Sequence, residues 1–252
     1  MDNRWLAGTT NPKAKIRLFC FPFAGGGTLT YRDWPQQFPS EIEVRPVRLP
    51  GRESRFGEPC FEETVPLAQA LATDLLPYLN LPFAFFGHSL GALLAFELAR
   101  ELRRRKEPGP LCLIVSGRRA PQLILSREPY HKLSDSALIN QLRDYGGTPE
   151  IIFQEPELMA LFLPVIRADF ALTDGYTYVP EAPFDYPIYA FNGEADHTVL
   201  KTDMDAWRQH TSNSFVLHLL SGGHFYLSES EGPSLVRMIT KELETLISQH
   251  KQ

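Results

Sequence analysis

The stretch Phe83-Ala84-Phe85-Phe86-Gly87-His88-Ser89-Leu90-Gly91-Ala92-Leu93-Leu94 decides the fold. Its opening run of four apolar residues suits a short strand covered on both faces. Gly87 and Gly91 then bracket a reversal with little room for a Cβ atom, and Ser89 stands between them. Leu90 opens a helical pattern that reaches Leu102 and closes on Arg103-Arg104-Arg105-Lys106. Positive charge is favoured at a helix C-terminus, so that basic run reads as a solvated helix end. A strand, a sharp turn and a helix with serine at the apex are the setting of a nucleophilic serine. A serine that only capped the helix would explain neither glycine.

Further short apolar runs lie on either side: Ile16 to Phe21, Val44 to Leu49 (weakened by Pro46), Leu111 to Ser116, Ile188 to Phe191 and Phe215 to Leu220. Helical patterns alternate with them over Glu63 to Leu76, Leu90 to Leu102 and Ser234 to Ile247. Strand alternating with helix predicts an α/β fold with a mostly parallel, doubly wound sheet. Between about Tyr130 and Phe170 the alternation fails. Leu133 to Tyr145 and Pro156 to Phe170 read as helices separated by Gly146-Gly147-Thr148-Pro149. This is expected to be a helical lid inserted into one domain that spans residues 1–252.

A serine nucleophile needs a base, and the base needs an orienting acid, in the chain order serine, acid, histidine. His224 lies in the glycine-rich loop Ser221-Gly222-Gly223-His224-Phe225, directly after the last strand-like run, which places it at the sheet's carboxyl edge. Of the other histidines, His88 adjoins the serine and is not expected to reach its hydroxyl. His218 falls within a strand, His197 follows Asp196, and His131, His210 and His250 have polar, helix-like surroundings. The acid is expected in Asn192-Gly193-Glu194-Ala195-Asp196-His197, with Asp196 preferred and Glu194 the fallback. Oxyanion donors are expected from the Leu90 amide and from the loop Phe21-Pro22-Phe23-Ala24-Gly25-Gly26-Gly27, where Ala24 is preferred over Phe23. That glycine run could also cradle a phosphate, but it lacks the Gly-Lys-Ser/Thr ending of a P-loop.

Composition narrows the class. The net charge of −5 is a poor match for non-specific nucleic-acid binding. No apolar run is long enough to span a membrane. The segment Met1 to Thr10 lacks the apolar core of a secretory signal. Cys20, Cys60 and Cys112 make no complete disulfide framework and no metal pattern, and Cys20 and Cys112 read as small buried residues in a reducing compartment. A cytoplasmic monomer without metal or cofactor is expected.

Six stretches carry a more specific resemblance. They are Phe19 to Gly27, Arg48-Leu49-Pro50-Gly51-Arg52-Glu53-Ser54-Arg55, Phe85 to Gly91, Gly146 to Pro149, Arg167-Ala168-Asp169 and Gly222 to Phe225. Together they resemble the type II, or editing, thioesterases of nonribosomal peptide and polyketide synthases, members of the α/β-hydrolase superfamily. The chain is also similar to the medium-chain acyl-carrier thioesterase of fatty acid synthesis. The resemblance implies a triad of Ser89, Asp196 and His224, in agreement with the residue-level reading. It implies as substrates acyl groups on the phosphopantetheine arm of an acyl or peptidyl carrier protein, cleared when misprimed or stalled. Phe23 and Phe225 are expected at the substrate. Phe153, Phe162 and Phe170 are candidates for an acyl tunnel or, almost equally, for core packing. Arg48, Arg52 and Arg55 have two readings, carrier docking or a turn pinned to nearby carboxylates, and the second is preferred. A general carboxylesterase and a catalytically silent hydrolase fold that binds a synthase are the rival readings.

Overall fold

A computed structural model describes residues 4–124, 127–148, 150–228 and 231–249. Of the residues singled out above, Met1 to Asn3, Pro149 and His250 lie outside this set. The strands are β1 (Ile16–Phe21), β2 (Ile42–Pro46), β3 (Phe83–His88), β4 (Leu113–Ser116), β5 (Ile188–Gly193) and β6 (Phe215–Leu220). They form one sheet in the order β2-β1-β3-β4-β5-β6, and every neighbouring pair is parallel. The helices are α1 (Trp34–Gln37), α2 (Thr64–Leu75), α3 (Leu90–Arg105), α4 (Asp135–Tyr145), α5 (Glu150–Gln154), α6 (Pro156–Asp174), α7 (Lys201–Asp205) and α8 (Gly232–Gln249).

Alternation along the central strands divides the core in two. Phe19, Phe21, Phe83, Phe85, Leu113, Val115, Ile188 and Ala190 face a layer that contains Leu67, Leu71 and Leu75 of α2 and Leu94 and Leu98 of α3. Leu18, Cys20, Ala84, Phe86, Cys112, Ile114, Tyr189 and Phe191 face Trp34 of α1 and Leu235, Ile239 and Leu243 of α8. Burial on both faces is why these strands read as unbroken apolar runs. Cys20, Cys60 and Cys112 are free thiols, and the first and last are buried.

Several boundaries differ from the sequence expectation, and two of them have plain physical reasons. Strand β2 covers Ile42–Pro46, not Val44 to Leu49, because its ladder to β1 starts at the pair Ile16 and Ile42. Pro46 tolerates the last position of an outer strand, where no further ladder bond is asked of its nitrogen. Strand β3 runs two residues beyond Phe86, so Gly87 and His88 of the turn motif still pair with β4. The basic end of α3 is also more engaged than a solvated end would be: Arg103 and Arg104 pair with Glu181, and Arg104 and Arg105 with Glu101.

The chain leaves β1 for β2 on one side and returns to β3 on the other. The connections after β1 and β3 therefore diverge at the carboxyl ends of two adjacent strands, where doubly wound sheets form their ligand crevice. Helices α4 to α6 lie between β4 and β5 in sequence and bury their own cluster of Leu138, Leu142, Met159, Leu163, Ile166 and Phe170. Among the described residues, no helix is long and apolar enough to cross a membrane.

Candidate active site

Ser89 sits at φ 54°, ψ −113°, a left-handed conformation that a residue with a side chain adopts only under constraint. The constraint is visible in its neighbours. A Cβ on Gly87 would lie 2.1 Å from the Gly91 carbonyl oxygen, and one on Gly91 would lie 2.1 Å from that of Phe21. Only glycine lets the turn close and α3 press against the end of β1. The Ser89 N–H donates to the Ser116 carbonyl at 2.8 Å, fixing the turn to β4. Leu90 is the first residue of α3, where helix geometry leaves the N–H without an intrahelical acceptor.

The loops after β5 and β6 bring Asp196 and His224 together. Asp196 Oδ2 and His224 Nδ1 are 2.7 Å apart, and both side chains are buried. Asp196 Oδ1 accepts from the Thr198 N–H at 2.8 Å, the Thr198 hydroxyl at 2.7 Å and the Val199 N–H at 3.1 Å. Burial alone would raise the carboxyl's pKa, but the His224 ring and Thr198 outweigh it and hold the group below its usual range. An ionised Asp196 fixes the His224 ring and its Nδ1 proton. The opposite nitrogen, Nε2, is buried without a hydrogen-bond partner among the described residues. Glu194, the fallback acid, points to solvent.

His88 does more than its sequence position suggests. Its ring lies 4.9 Å from that of His224, and its Nδ1 is 2.8 Å from the Ser116 hydroxyl, which in turn bonds Tyr226. Burial first, and the neighbouring His224 second, push its pKa well below the ordinary imidazole value, so it stays neutral. His88 thus packs behind the His224 ring. Gly117 leaves the room, since a Cβ there would meet the His88 ring at 2.5 Å.

The glycine-rich loop after β1 is clamped from two sides. Arg52 donates to both oxygens of Asp169 at 2.8 and 2.7 Å and to the Gly26 carbonyl at 2.7 Å. The Gly25 N–H donates to the same Asp169 at 2.7 Å. Glu53, itself at φ 52°, accepts from the Thr28 N–H at 2.6 Å and the Thr28 hydroxyl at 2.7 Å. Arg48 bonds Glu53, and Arg55 bonds Glu58 and the Arg48 carbonyl, so the chain's own groups engage all three arginines.

Two cavities meet at Ser89. The larger, about 270 Å³, is bordered by Ala24, Ser89, Arg118, Arg127, Tyr145 and Thr198, among others. The smaller, about 30 Å³, is an apolar slot between Phe23, Leu142, Gly147, Phe170 and Phe225. Phe23 and Phe225 pack edge to face at 4.9 Å and form one wall of this slot. Ala24 and Phe170 border both spaces. Phe162, by contrast, faces solvent, and Phe153 packs at the edge of the α4–α6 cluster. Helical spacing alone could not tell which aromatics of α5 and α6 turn inward. Arg118, two residues after β4, borders the larger cavity at the carboxyl edge of the sheet.

Known proteins resemble this chain in sequence and in fold. Residues 16–243 match the thioesterase domain family. The chain is 41% identical to the gramicidin S biosynthesis protein GrsT of Aneurinibacillus migulanus, over 98% of this chain and 96% of that one. Among solved structures, the RedJ thioesterase of the prodiginine pathway in Streptomyces coelicolor superposes with a TM-score of 0.87 at 40% identity, covering 91% of each chain. The type II thioesterase BorB of the borrelidin cluster gives 0.86 at 35% identity, covering 95% of this chain and 97% of that one. A likeness that covers 91% of the chain makes the fold that of an α/β-hydrolase, and the chain belongs to the thioesterase domain family, enzymes that hydrolyse thioesters.

Proposed function

We propose that this chain is a type II thioesterase that clears acyl groups from the phosphopantetheine arm of carrier proteins in a peptide or polyketide synthase, working in the cytoplasm as a monomer. The relatives support the pathway: GrsT belongs to gramicidin S biosynthesis and BorB to a borrelidin cluster. One observation carries the chemistry, the 2.7 Å pair of Asp196 and His224 at the sheet edge that also presents the strained Ser89. The whole chain acts as one hydrolase domain, with α4 to α6 as its lid.

In this reading His224 takes the Ser89 proton as the hydroxyl oxygen attacks the thioester carbonyl. The amides of Leu90 and Ala24 receive the developing oxyanion. Collapse of the tetrahedral intermediate breaks the C–S bond, and the sulfur leaves with the proton held by His224. Water, deprotonated by His224, then hydrolyses the acyl-Ser89 ester. Asp196 keeps the imidazole in the productive tautomer. Phe23 and Phe225 contact the acyl end in the apolar slot.

The test compares hydrolysis of acyl-carrier thioesters with that of p-nitrophenyl esters. The expected result is a higher kcat/KM on the carrier thioester and a loss on the order of a thousandfold or more in Ser89→Ala. A fluorophosphonate probe should label Ser89. Near-normal turnover in Ser89→Ala would overturn the assignment, and a preference for free esters would favour a carboxylesterase.

A further inference from the structure

Three arginines border the cavity beside Ser89, and no carboxylate among the described residues does. Two of the three are occupied. Arg119 bonds the Thr198 carbonyl at 3.1 Å and lies 3.8 Å from Asp203. Arg127 pairs with Asp174 at 2.9 Å and lies over the Tyr130 ring. Arg118 differs. Its guanidinium has no hydrogen-bond or ion-pair partner among the described residues, and its Nε is buried. The charged and titratable groups around it are Tyr145, Tyr176, Arg119 and Arg127. Burial lowers its pKa to about 10, so it keeps its proton at neutral pH. A half-buried guanidinium that borders a cavity and has no counter-charge beside it can pair with an anion that enters there.

Position says where that partner comes from. Arg118, Arg119 and Thr173 border the Ser89 cavity and also a second space of about 400 Å³ that continues past Leu123 and Ile124. Among the described residues, the one carboxylate bordering this second space, Asp174, is already held by Arg127 and His131. The apolar slot that also meets Ser89 has no charged residue among its described lining. A thioester has two limbs, and the two spaces meeting at the serine differ in polarity as the limbs would.

We propose that Arg118 is an anion-binding residue for the substrate, and that the cationic cavity and its continuation hold the limb of the thioester that carries a negative oxygen group. The proposal rests on the thioesterase reading above and adds the chemical class recognised beside the serine. Two groups have this chemistry: the phosphate at the end of the pantetheine arm, and a carboxylate on the acyl chain. A guanidinium accepts either through paired N–H donors.

Three substrates separate them. Butyryl-pantetheine carries neither anion, butyryl-phosphopantetheine adds the phosphate, and succinyl-pantetheine adds the carboxylate. Arg118→Met should lower kcat/KM for one of the charged substrates at least ~10-fold more than for the neutral one, mainly through KM, and Arg118→Lys should restore part of it. Whichever charged substrate suffers names the source. Equal losses on all three, or none, would overturn the proposal even though the variant still labels with fluorophosphonate. Failure of the unmodified enzyme on every thioester would instead bring down the thioesterase reading, and this assignment with it.

Discussion

Arg52 is buried and Arg118 half-buried within the framework of the same site, and their guanidinium groups are treated in opposite ways. Arg52 spends its donors on Asp169, Gly26 and Pro50. Arg118 spends none on any described residue. The first arginine is a fastener. Its partners lie 26 and 117 residues away in sequence, and together they position the loop that presents Ala24. The second is held in reserve. Burial tells little about a charged residue until its partners are counted.

Breaking the fastener should have the largest effect. Asp169→Ala leaves Arg52 buried and uncompensated and frees the Gly25 amide. A loss of about 3–5 kcal/mol is expected, read as a fall in Tm of roughly 10 °C, together with a drop in kcat. An unchanged melting curve would mean that the pair contributes nothing.

His210 sharpens the contrast as a third way to keep a basic group inside, by leaving it uncharged. It is packed against Phe96 and Trp207 and bonds Gln122 at 2.6 Å. Burial lowers its pKa to about 4 from 6.5, so the unfolded chain binds a proton that the folded one refuses. Stability should therefore be intact above pH 6.5, fall as pH drops through that value, and level off below pH 4. This site contributes up to about 3 kcal/mol of that loss. Urea titrations of His210→Gln across this range should show a shallower dependence.

The smallest effect is expected at the unpaired cation. Arg118→Met breaks no hydrogen bond or ion pair to a described residue, so stability should stay within about 1 kcal/mol of the unmodified enzyme. A fall as large as that of Asp169→Ala would show that Arg118 has a structural partner after all, and the distinction between the two arginines would collapse.

What the sequence revealed divides along the same line. Ser89, Asp196 and His224 each follow a strand, so local pattern and chain order place them at one edge. The apolar runs of β1, β3 and β5 were legible because both faces of those strands are buried. The Arg52–Asp169 pair was not. Asp169 lies on α6 and its partner in a turn before α2, and nothing local joins them. The Arg48-to-Arg55 segment stood out as distinctive, but only the fold shows why. Its Arg52 and Glu53 grip the glycine loop at Gly26 and Thr28. His88 was legible as a neighbour of the nucleophile. Its place behind the His224 ring depends on how β3, β4 and the last loop converge.

Helix α6 is tied down twice, at Asp169 to the Gly25 amide and at the Leu172 carbonyl to the Thr64 hydroxyl of α2. The same helix carries Arg167, which donates to the His131 and Leu133 carbonyls at 2.7 Å and to Asp135 of α4 at 2.6 Å. One helix is thus the common anchor of the inserted segment, so a change in how α6 packs reaches the glycine loop, α2 and α4 together.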